Sequence, residues 1–523
     1  MRLTVALVQH RAYDVDHSQE GLANTLALVD QAARSKPDLI VLPECSYPGY
    51  YLGLGGDPRQ NVLGWRDALS RFRMIAQRHG VYICVGLAEA QGDKLYNSAF
   101  LIDRNGTLVG TARKTFLWHF DRRWFSRGDE FRVFQTDIGN IGMIVCADGR
   151  LPEISRVLAL KGAEIIIDPT NWVTSGRDAG SLRNPQVDCM IPARAVENGV
   201  WYFCANKVGR ETDTVVYCGQ SIGVSPTGEI VVKGSPDREE IILIEADVRR
   251  EHRAQAMNLR KECFHESFSL LDRPNEDVPL AKVLRDPVVP GKETGMVGVV
   301  QLDRDISLKE YLESGSYLAE RLCEQGASLV ILPDSACAAV RDSLSLIRNA
   351  FAPIARRFNA YIALTAGRNQ AALVLGPLDF GERAFTLSSD LLEVGALRVG
   401  FMRGKEGLVP EVARSLFLRG ADVIAWLGDL GTGHERSIAL TRAMENRVYV
   451  AFANCSSRDE RNSLIASPDG RILAETFPGT KQGILAQASA AVSRVKQVVW
   501  GTDVYRDRLP ELYKEISSAE VLI

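Results

Sequence analysis

The stretch Arg194-Ala-Val-Glu-Asn198 returns later in the chain as Arg442-Ala-Met-Glu-Asn446, and an asparagine follows each copy at the same spacing. A second pair of segments precedes these two in the same order. An apolar run ending in Leu-Pro-Glu44 corresponds to one ending in Leu-Pro-Asp334. Several matches in one fixed order indicate that a whole unit has been duplicated. The sequence therefore predicts one domain written twice.

Each copy alternates apolar strands with amphipathic helices. The runs Glu164–Asp168 and Ala421–Trp426 have the composition of strands buried in a sheet, and each follows a stretch with proline near its start and glycine at its end. Such alternation is typical of layered α/β domains. We expect domains at residues 1–270 and 295–523, joined by a linker at 271–294 that is rich in proline and charge.

The composition argues against several classes of protein. The 62 Lys and Arg against 65 Asp and Glu give a net charge of −3, so a nucleic-acid or anionic-membrane surface is not expected. No apolar run is long enough for a transmembrane helix, and the N-terminus has the pattern of a strand and not of a secretion signal. The ten cysteines form no Cys-x-x-Cys pair, so a zinc site or disulfide framework has little support and a cytoplasmic location is expected.

Three residues of the first copy occupy positions suited to chemistry. Glu44 and Cys146 each end a predicted strand, and Lys114 lies between them in the sequence. In α/β sheets, functional side chains gather at the C-terminal ends of strands. A single cysteine at such a position is more often a small core residue than a nucleophile. The combination of the three residues favours the chemical interpretation.

The combined pattern resembles the nitrilase superfamily, the carbon–nitrogen hydrolases, over essentially all of the first copy. The matching segments are Leu-Pro-Glu44, Arg-Lys114, Cys146-x-Asp-x-x-x-Pro-Glu153, Arg194–Asn198 and Gly219–Gly228. The resemblance implies an αββα sandwich in each copy. It also implies that Glu44, Lys114 and Cys146 form the catalytic set.

The chemistry of these three residue types supports the same interpretation. A cysteine needs thiolate character to attack, and Glu44 could take its proton as a general base. Lys114 and a backbone N–H after the strand could stabilise the oxyanion formed from an amide. The resulting thioester on Cys146 would be hydrolysed by water. This cycle needs no metal or other cofactor, and its partners are a small-molecule amide and water.

A fourth residue, Asp121, is a candidate for a supporting catalytic role. Many members of the family carry a second acid, usually glutamate, six positions before a Pro-Gly dipeptide. Here the dipeptide reads Arg127-Gly128, and six positions before it stands Asp121, which is one methylene shorter. The alternative is an exposed ion pair between Asp121 and Arg122 or Arg123.

Two further residues are candidates for substrate binding. Arg150 lies four positions after Cys146, where carbamoylase-like members of the family also have an arginine, and it could clamp a substrate carboxylate. The alternative is a surface arginine at a helix start. Trp172 follows the next predicted strand and could form a pocket wall or simply pack in the core. Asp148 and Glu153 are expected to orient the backbone and neighbouring side chains.

The second copy has lost the site. Asp334 replaces the glutamate, and the nucleophile position falls on Gly404. About fourteen positions are missing between Asn369 and Pro410, where the lysine and its acidic neighbour would lie. We therefore expect the second copy to be non-catalytic and to pair with the first as an intrachain pseudo-dimer. The sequence leaves open whether this pair assembles into a larger homo-oligomer.

The function expected from these observations is a thiol amidohydrolase acting on a small amide or N-carbamoyl compound. A nitrile hydrolase would use the same three residues, so the sequence separates the two poorly. A non-catalytic binding or regulatory protein is a third alternative, against which the intact set in the first copy argues. The C-terminal segment Arg508–Tyr513 resembles a family tail that often crosses to a partner subunit, and here it could return onto the first copy.

Overall fold

The chain folds into two compact units. The computed structural model describes residues 1–286, 288, 291, 293–304, 306–334, 343–365, 371–386, 390–428, 433–456 and 462–518. The first unit comprises Met1–Lys261 with the C-terminal stretches Val499–Asp503 and Asp507–Ile523, and the second comprises Glu262–Val498 with Val504–Arg506. The domain limits expected from the repeat, and the pairing of the two domains, stay predictions.

The first unit contains two sheets of six described strands each. In spatial order, sheet A consists of Glu240–Asp247, Arg2–Gln9, Leu39–Val41, Tyr82–Gln91, Lys94–Ile102 and Leu108–Arg113. Sheet B consists of Ile230–Lys233, Ile222–Val224, Trp201–Ala205, Ile165–Pro169, Gly139–Met143 and Val133–Thr136. A separate hairpin pairs Val208–Glu211 with Val215–Cys218.

Each sheet has parallel strands at its centre and antiparallel strands at its edges. In sheet A, Leu39–Val41 runs parallel to both of its neighbours. In sheet B, Ile165–Pro169 does the same, and all five of its residues are buried. A strand buried on both faces must be apolar throughout, which explains the continuous apolar runs in the sequence.

Helices cover the outer faces of the two sheets, while the inner faces pack on each other. The helices of the first unit are Ser18–Arg34, Arg59–Val62, Trp65–His79, Asp121–Trp124, Pro152–Leu160, Ile191–Asn198, Arg250–Glu262 and Lys514–Ser517, with shorter turns at Val15–His17, Cys146–Arg150, Gln186–Met190 and Pro510–Leu512. The first and third of these contact sheet A, and Ile191–Asn198 contacts sheet B. Central strands of the two sheets contact each other. The order of layers is αββα, as the resemblance implies.

The second unit repeats this architecture with two sheets and flanking helices. Sheet C consists of Glu382–Thr386, Ala371–Leu375, Tyr361–Thr365, Leu329–Ile331, Thr294–Asp303, Gln482–Ser489 and the short strand Cys455–Ser456. Sheet D consists of Leu391–Val394, Leu397–Arg403, Val423–Leu427, Tyr449–Ala453, Leu464–Ala466 and Ile472–Glu475. The helices and turns are Glu266–Leu270, Asn275–Asp277, Pro279–Arg285, Leu308–Glu324, Leu344–Phe358, Gly404–Leu408, Pro410–Leu418, Glu435–Asn446 and Ala490–Ser493. Two short strands follow in the chain. Gln497–Val499 spans the boundary between the units, and Thr502–Asp503 belongs to the first unit.

Three local expectations from the sequence differ from the structure. The strand before Glu44 ends at Val41, because Pro43 has no N–H for the ladder. The strand before Cys146 ends at Met143, because the chain turns sharply at the cysteine. The predicted linker contains the helix Pro279–Arg285, whose proline occupies the first turn, where no N–H is needed.

Candidate active site

Glu44 lies just beyond the C-terminal end of strand Leu39–Val41 and is fully buried. Its backbone N–H donates to the carbonyl of Thr170 at 3.3 Å, which ties sheet A to the loop after a strand of sheet B. Gly86 allows this packing, because a Cβ at that position would lie 2.6 Å from Glu44 Cα. The acid is therefore carried by backbone that is closely packed.

Lys114 connects two acids in the first unit. Its Nζ lies 2.8 Å from Glu44 Oε1 and 2.7 Å from Asp121 Oδ2, and all three side chains are at most 1% exposed. Burial alone would lower the pKa of Lys114, but the carboxylates of Asp121 and Glu44 outweigh it and raise this pKa well above its usual value. The lysine is held as an ammonium ion between two buried carboxylates.

Asn97 is a further residue of the site, and the sequence did not identify it as one. Its side-chain Nδ2 donates to Glu44 Oε1 at 2.5 Å, and its backbone carbonyl accepts the N–H of Lys114 at 2.8 Å. One asparagine thus holds the carboxylate of one predicted catalytic residue and the backbone of another. A single buried asparagine in an apolar strand carried no stronger signal in the sequence.

Cys146 begins a short 3₁₀ turn, Cys146–Arg150, directly after sheet B. Its φ of +53° lies in the left-handed region, which a residue with a side chain rarely adopts. Such strain persists only where surrounding contacts hold it. Asp168 Oδ1 accepts the N–H of Cys146 at 2.5 Å, and the backbone carbonyl of Cys146 accepts a hydrogen bond from Gln186 Nε2 at 2.9 Å. These contacts hold the cysteine at the sharp turn.

The surroundings of Cys146 disfavour the thiolate form of its side chain. Burial raises its pKa well above the usual value, and the negative charge of Glu44 raises it further, while Lys114 lowers it. A hydrogen bond with the backbone of Asn171 also lowers it. Attack by this sulfur therefore requires a base that removes the proton.

Asp148 joins the turn at Cys146 to the segment after Lys114. Its Oδ1 accepts the N–H groups of Thr115 and Phe116 at 3.0 and 2.8 Å, and its Oδ2 accepts the N–H of Val145 at 3.1 Å. Burial raises the pKa of Asp148 to about 6, against the effect of these hydrogen bonds. These contacts agree with the orienting role expected for Asp148.

Asp121 begins the four-residue helix Asp121–Trp124 and is fully buried. Its Oδ2 accepts the N–H of Trp118 at 2.7 Å in addition to contacting Lys114. The alternative of an exposed ion pair with Arg122 or Arg123 is wrong, because the loop turns the carboxylate inward to the lysine. Asp121 therefore lies with Lys114 and Glu44, and its supporting catalytic role stays a prediction.

Arg150 and Trp172 are both buried. Arg150 is 8% exposed, and its guanidinium lies 4.6 Å from the ring centre of Trp118, so it is not a surface arginine. Trp172 is anchored by a hydrogen bond from its backbone N–H to Asn206 Oδ1 at 2.9 Å. Among the described residues, no group accepts a hydrogen bond from the Trp172 indole N–H. Their roles in substrate binding stay a prediction.

Two polar residues beside Cys146 were not identified from the sequence. Asp168 is fully buried, and burial raises its pKa well above the usual value. Asn171 is 4% exposed, and neither side-chain amide atom has a hydrogen-bond partner among the described residues. The available signal was polar residues at the end of an apolar strand, which is weak by itself.

A buried ion pair supports the loop that follows Glu44. Lys207 Nζ lies 2.9 Å from Glu211 Oε1 and donates to the carbonyl of Cys45 at 2.9 Å. Glu211 Oε2 accepts the N–H groups of Tyr50 and Tyr51 at 2.8 and 2.7 Å. These bonds set the start of the loop at residues 50–64.

The corresponding position in the second unit holds an ion pair, and Gly404 stands where the first unit has Cys146. Arg403 Nε lies 2.7 Å from Asp334 Oδ2, and Thr365 donates to Asp334 Oδ1 at 2.6 Å. Gly404 has a φ of +41°, so the sharp turn is kept where the first unit has its cysteine. Asn369, which the repeat matches to Asn97, lies outside the described residues.

The described residues contain neither a metal-binding cluster nor a membrane-spanning helix. No group of three or more His, Cys, Asp or Glu side chains in these ranges could hold a metal ion. Among the described helices, none has the length and apolar character needed to cross a membrane.

Comparisons with known proteins identify similar chains. The model of the carbon-nitrogen hydrolase family matches residues 4–256 and 374–497. A probable nitrilase of Schizosaccharomyces pombe is 29% identical over 255 residues, covering 47% of this chain and 90% of the yeast protein. An N-carbamoylputrescine amidase of Solanum lycopersicum is 29% identical over 258 residues, covering 46% and 85%. The crystal structure of a carbon-nitrogen hydrolase from Helicobacter pylori G27 aligns with a TM-score of 0.44 at 26% identity, over 50% of this chain and 93% of that one.

Proposed function

Since the chain belongs to the carbon-nitrogen hydrolase family, we propose that its first domain is a thiol amidohydrolase that cleaves small linear amides or N-carbamoyl compounds. The observation that carries the proposal is the placement of Lys114 between Glu44 and Asp121, at 2.8 and 2.7 Å, in the unit that also contains the strained Cys146. Burying a lysine and two acids costs desolvation free energy. Buried titratable groups of this kind cluster at functional sites.

The proposed cycle begins with proton transfer from the Cys146 thiol to Glu44. The sulfur then attacks the amide carbon, and the C=O electron pair moves to oxygen as the C–S bond forms. Lys114 and the Ala147 backbone N–H stabilise this oxyanion. The backbone N–H of Cys146 is already bonded to Asp168 and takes no part.

The tetrahedral intermediate collapses when Glu44 returns the proton to the leaving nitrogen. The C–N bond breaks, ammonia or an amine departs, and a thioester remains on Cys146. Glu44 next takes a proton from water, whose oxygen attacks the thioester carbon. Breaking of the C–S bond releases the acid product, and the sulfur regains a proton.

Asp121 has a different role from Glu44 in this proposal. Both carboxylates contact Lys114, so the lysine remains charged when Glu44 becomes neutral on taking the thiol proton. An ammonium ion is needed at that step, because the oxyanion forms then. Asp121 thereby supports the positive charge and transfers no proton.

Arg150 and Trp172 are the proposed substrate-binding residues. A buried guanidinium suits a substrate carboxylate, which it can bind through two hydrogen bonds. Asn171 is a third proposed substrate-binding residue. Its buried side-chain amide lies near Cys146, has no hydrogen-bond partner among the described residues, and could bond a polar group of a ligand. N-carbamoyl acids offer both a carboxylate and a ureido group, so they fit this set well.

The second domain is proposed to be non-catalytic. The Arg403–Asp334 ion pair occupies the position of the site, and Gly404 offers no nucleophile. A structural role is left to this copy.

The proposal is tested by mass spectrometry of the protein and of its peptides after incubation with a panel of amides, N-carbamoyl compounds and nitriles. We expect an acyl group on the peptide that contains Cys146, absent from Cys146→Ala and present in the matched control Cys323→Ala. Release of ammonia with CO2 identifies a carbamoyl substrate, and release of ammonia or another amine alone identifies a simple amide. Unchanged turnover by Cys146→Ala would contradict the thiol mechanism.

The nitrile alternative is distinguished in the same panel. Turnover of nitriles with no turnover of amides or carbamoyl compounds would favour a nitrile hydrolase. If none of the panel acylates Cys146 and iodoacetamide does not alkylate it selectively even above pH 9, the binding-protein alternative gains support.

A further inference from the structure

The loop at residues 115–128, here termed the acid loop, carries Asp121 and begins with a strained turn. His119 has a φ of +44°, in the region that favours glycine. The N–H of Asp121 donates to the carbonyl of Trp118 at 2.8 Å, so the turn at 118–121 sets the position of the carboxylate. Contacts around His119 therefore decide whether Asp121 reaches Lys114.

Thr502 provides such a contact from the C-terminal part of the first unit. It is fully buried. Its hydroxyl oxygen accepts the N–H of His119 at 2.8 Å, and the hydroxyl donates to the carbonyl of Leu117 at 3.3 Å. One side chain thus satisfies peptide groups on both sides of Trp118, whose own N–H is bonded to Asp121.

Asp507 binds the acid loop at two further points. Its Oδ1 pairs with Arg122 and, at 2.8 Å, with Arg127. Its other oxygen accepts the N–H of Asp503 at 2.8 Å, which joins the two C-terminal stretches of the first unit. The carboxylate is 9% exposed, so solvent screens these pairs less than it would on the surface.

Two departures from the family pattern meet at these contacts. Arg127 stands where many members have proline, and Asp121 stands where they usually have the longer glutamate. Proline would stiffen the loop by itself, whereas an arginine does so only through a partner. A shorter acid reaches the lysine only if its backbone is held close.

We propose that Thr502 and Asp507 are positioning residues that hold the acid loop, so that Asp121 stays on Lys114. The inference rests on the proposed thiol mechanism for its effect on turnover. The chain reaches both residues only after passing through the second unit, so a chain that ends before residue 499 would lack them.

The test compares Thr502→Val, Thr502→Ser and Asp507→Asn in the full-length protein. Hydrogen exchange of residues 115–128 reports the loop without any substrate, and kcat and KM are measured on an amide that the wild type turns over. We expect Thr502→Val and Asp507→Asn to speed exchange in the acid loop. We also expect kcat to fall at least tenfold with KM changed less than threefold, because only Lys114 loses a partner.

Thr502→Ser keeps the hydroxyl and should restore both measurements to within threefold of the wild type. The matched control is Glu515→Gln, which removes a partly exposed pair with Lys161 in the same C-terminal stretch and should change neither measurement. If Thr502→Val does not fold, the double-mutant cycle of Arg127→Gln and Asp507→Asn replaces it. Non-additive losses of kcat support the proposal, and additive losses overturn it.

Unchanged exchange in the acid loop together with unchanged kcat in Thr502→Val and Asp507→Asn would overturn the positioning role. Failure of the proposed function gives a different result, because Cys146→Ala would then keep turnover. Hydrogen exchange of the acid loop would still show whether Thr502 and Asp507 hold it. The two hypotheses can therefore fail independently.

Discussion

Asp168 accepts the backbone N–H of Cys146 at 2.5 Å, so a buried carboxyl group holds the strained turn at the proposed nucleophile. The other oxygen, Oδ2, has no hydrogen-bond partner among the described residues. A backbone N–H at a left-handed turn has few partners available, and here the acceptor comes from the next strand of the sheet.

Asp168→Asn and Asp168→Ala should therefore differ in activity. Asparagine keeps an oxygen that can accept the N–H, so we expect kcat within about threefold of the wild type. Alanine leaves that buried N–H without a partner, at a cost of about 1–3 kcal/mol, and should lower kcat about 10- to 100-fold. Steady-state kinetics check this difference, and equal losses in the two variants would contradict the role of the hydrogen bond.

Lys114→Met should destabilise the protein by about 3–5 kcal/mol, because the carboxylates of Glu44 and Asp121 would then be buried without their cation. The triple variant Lys114→Met, Glu44→Gln, Asp121→Asn removes those charges as well, and should recover most of the stability but no activity. Thermal unfolding followed by calorimetry checks the order of the three proteins. A triple variant no more stable than the single one would argue against a charge effect.

Arg150→Gln should affect substrates according to their charge. The loss of a charge-assisted pair of hydrogen bonds costs about 1.5–3 kcal/mol, so kcat/KM for a carboxylate-bearing substrate should fall about 10- to 100-fold. Turnover of an uncharged amide of similar size should change less than threefold, and it serves as the internal control. Equal losses of kcat/KM for both substrates would contradict a contact between Arg150 and a substrate carboxylate.

Alkylation of Cys146 should increase with pH into the alkaline range. Burial, followed by the charge of Glu44, raises the pKa of the thiol well above its usual value, and only the thiolate reacts. The rate of reaction with iodoacetamide should therefore be low at neutral pH and still rising above pH 9. Mass spectrometry of the Cys146 peptide gives the rate, and a plateau below pH 8 would contradict the assigned direction.

The stability of the second domain should fall as pH rises through the titration of Glu406. Burial raises the pKa of Glu406 from its usual value of 4.5 to about 7, so the folded state binds its proton more tightly than the unfolded state. Stability from this group is thus fully present below about pH 4.5 and is lost by about pH 7.

Glu406→Gln removes this dependence while keeping an oxygen for the Arg403 N–H that Glu406 accepts at 2.7 Å. We expect the variant to gain stability relative to the wild type between pH 5 and pH 8. Thermal midpoints of the two proteins at both values check the sign. If the wild type became more stable relative to the variant between pH 5 and pH 8, the pKa of Glu406 would not be raised.

The sequence by itself determined the duplication, the α/β class and the residues 44, 114 and 146 as the proposed catalytic set. These features depend on patterns that are local or periodic, such as apolar runs, helix boundaries and short motifs. A central strand that is buried on both faces must be apolar throughout, and such an apolar run can be recognised in the sequence. Boundaries were less accurate, because Pro43 and the turn at Cys146 end their strands early.

The tertiary structure alone decided which polar groups meet at the site. Asp168 lies 22 positions from Cys146, and Thr502 lies 383 positions from His119, and no periodic pattern links such pairs. The sequence allowed Asp121 to be an exposed ion-pair partner, whereas in the structure its carboxylate points inward and contacts Lys114. A hydrogen bond between distant segments depends on how the layers stack, so its partners cannot be read from either segment separately.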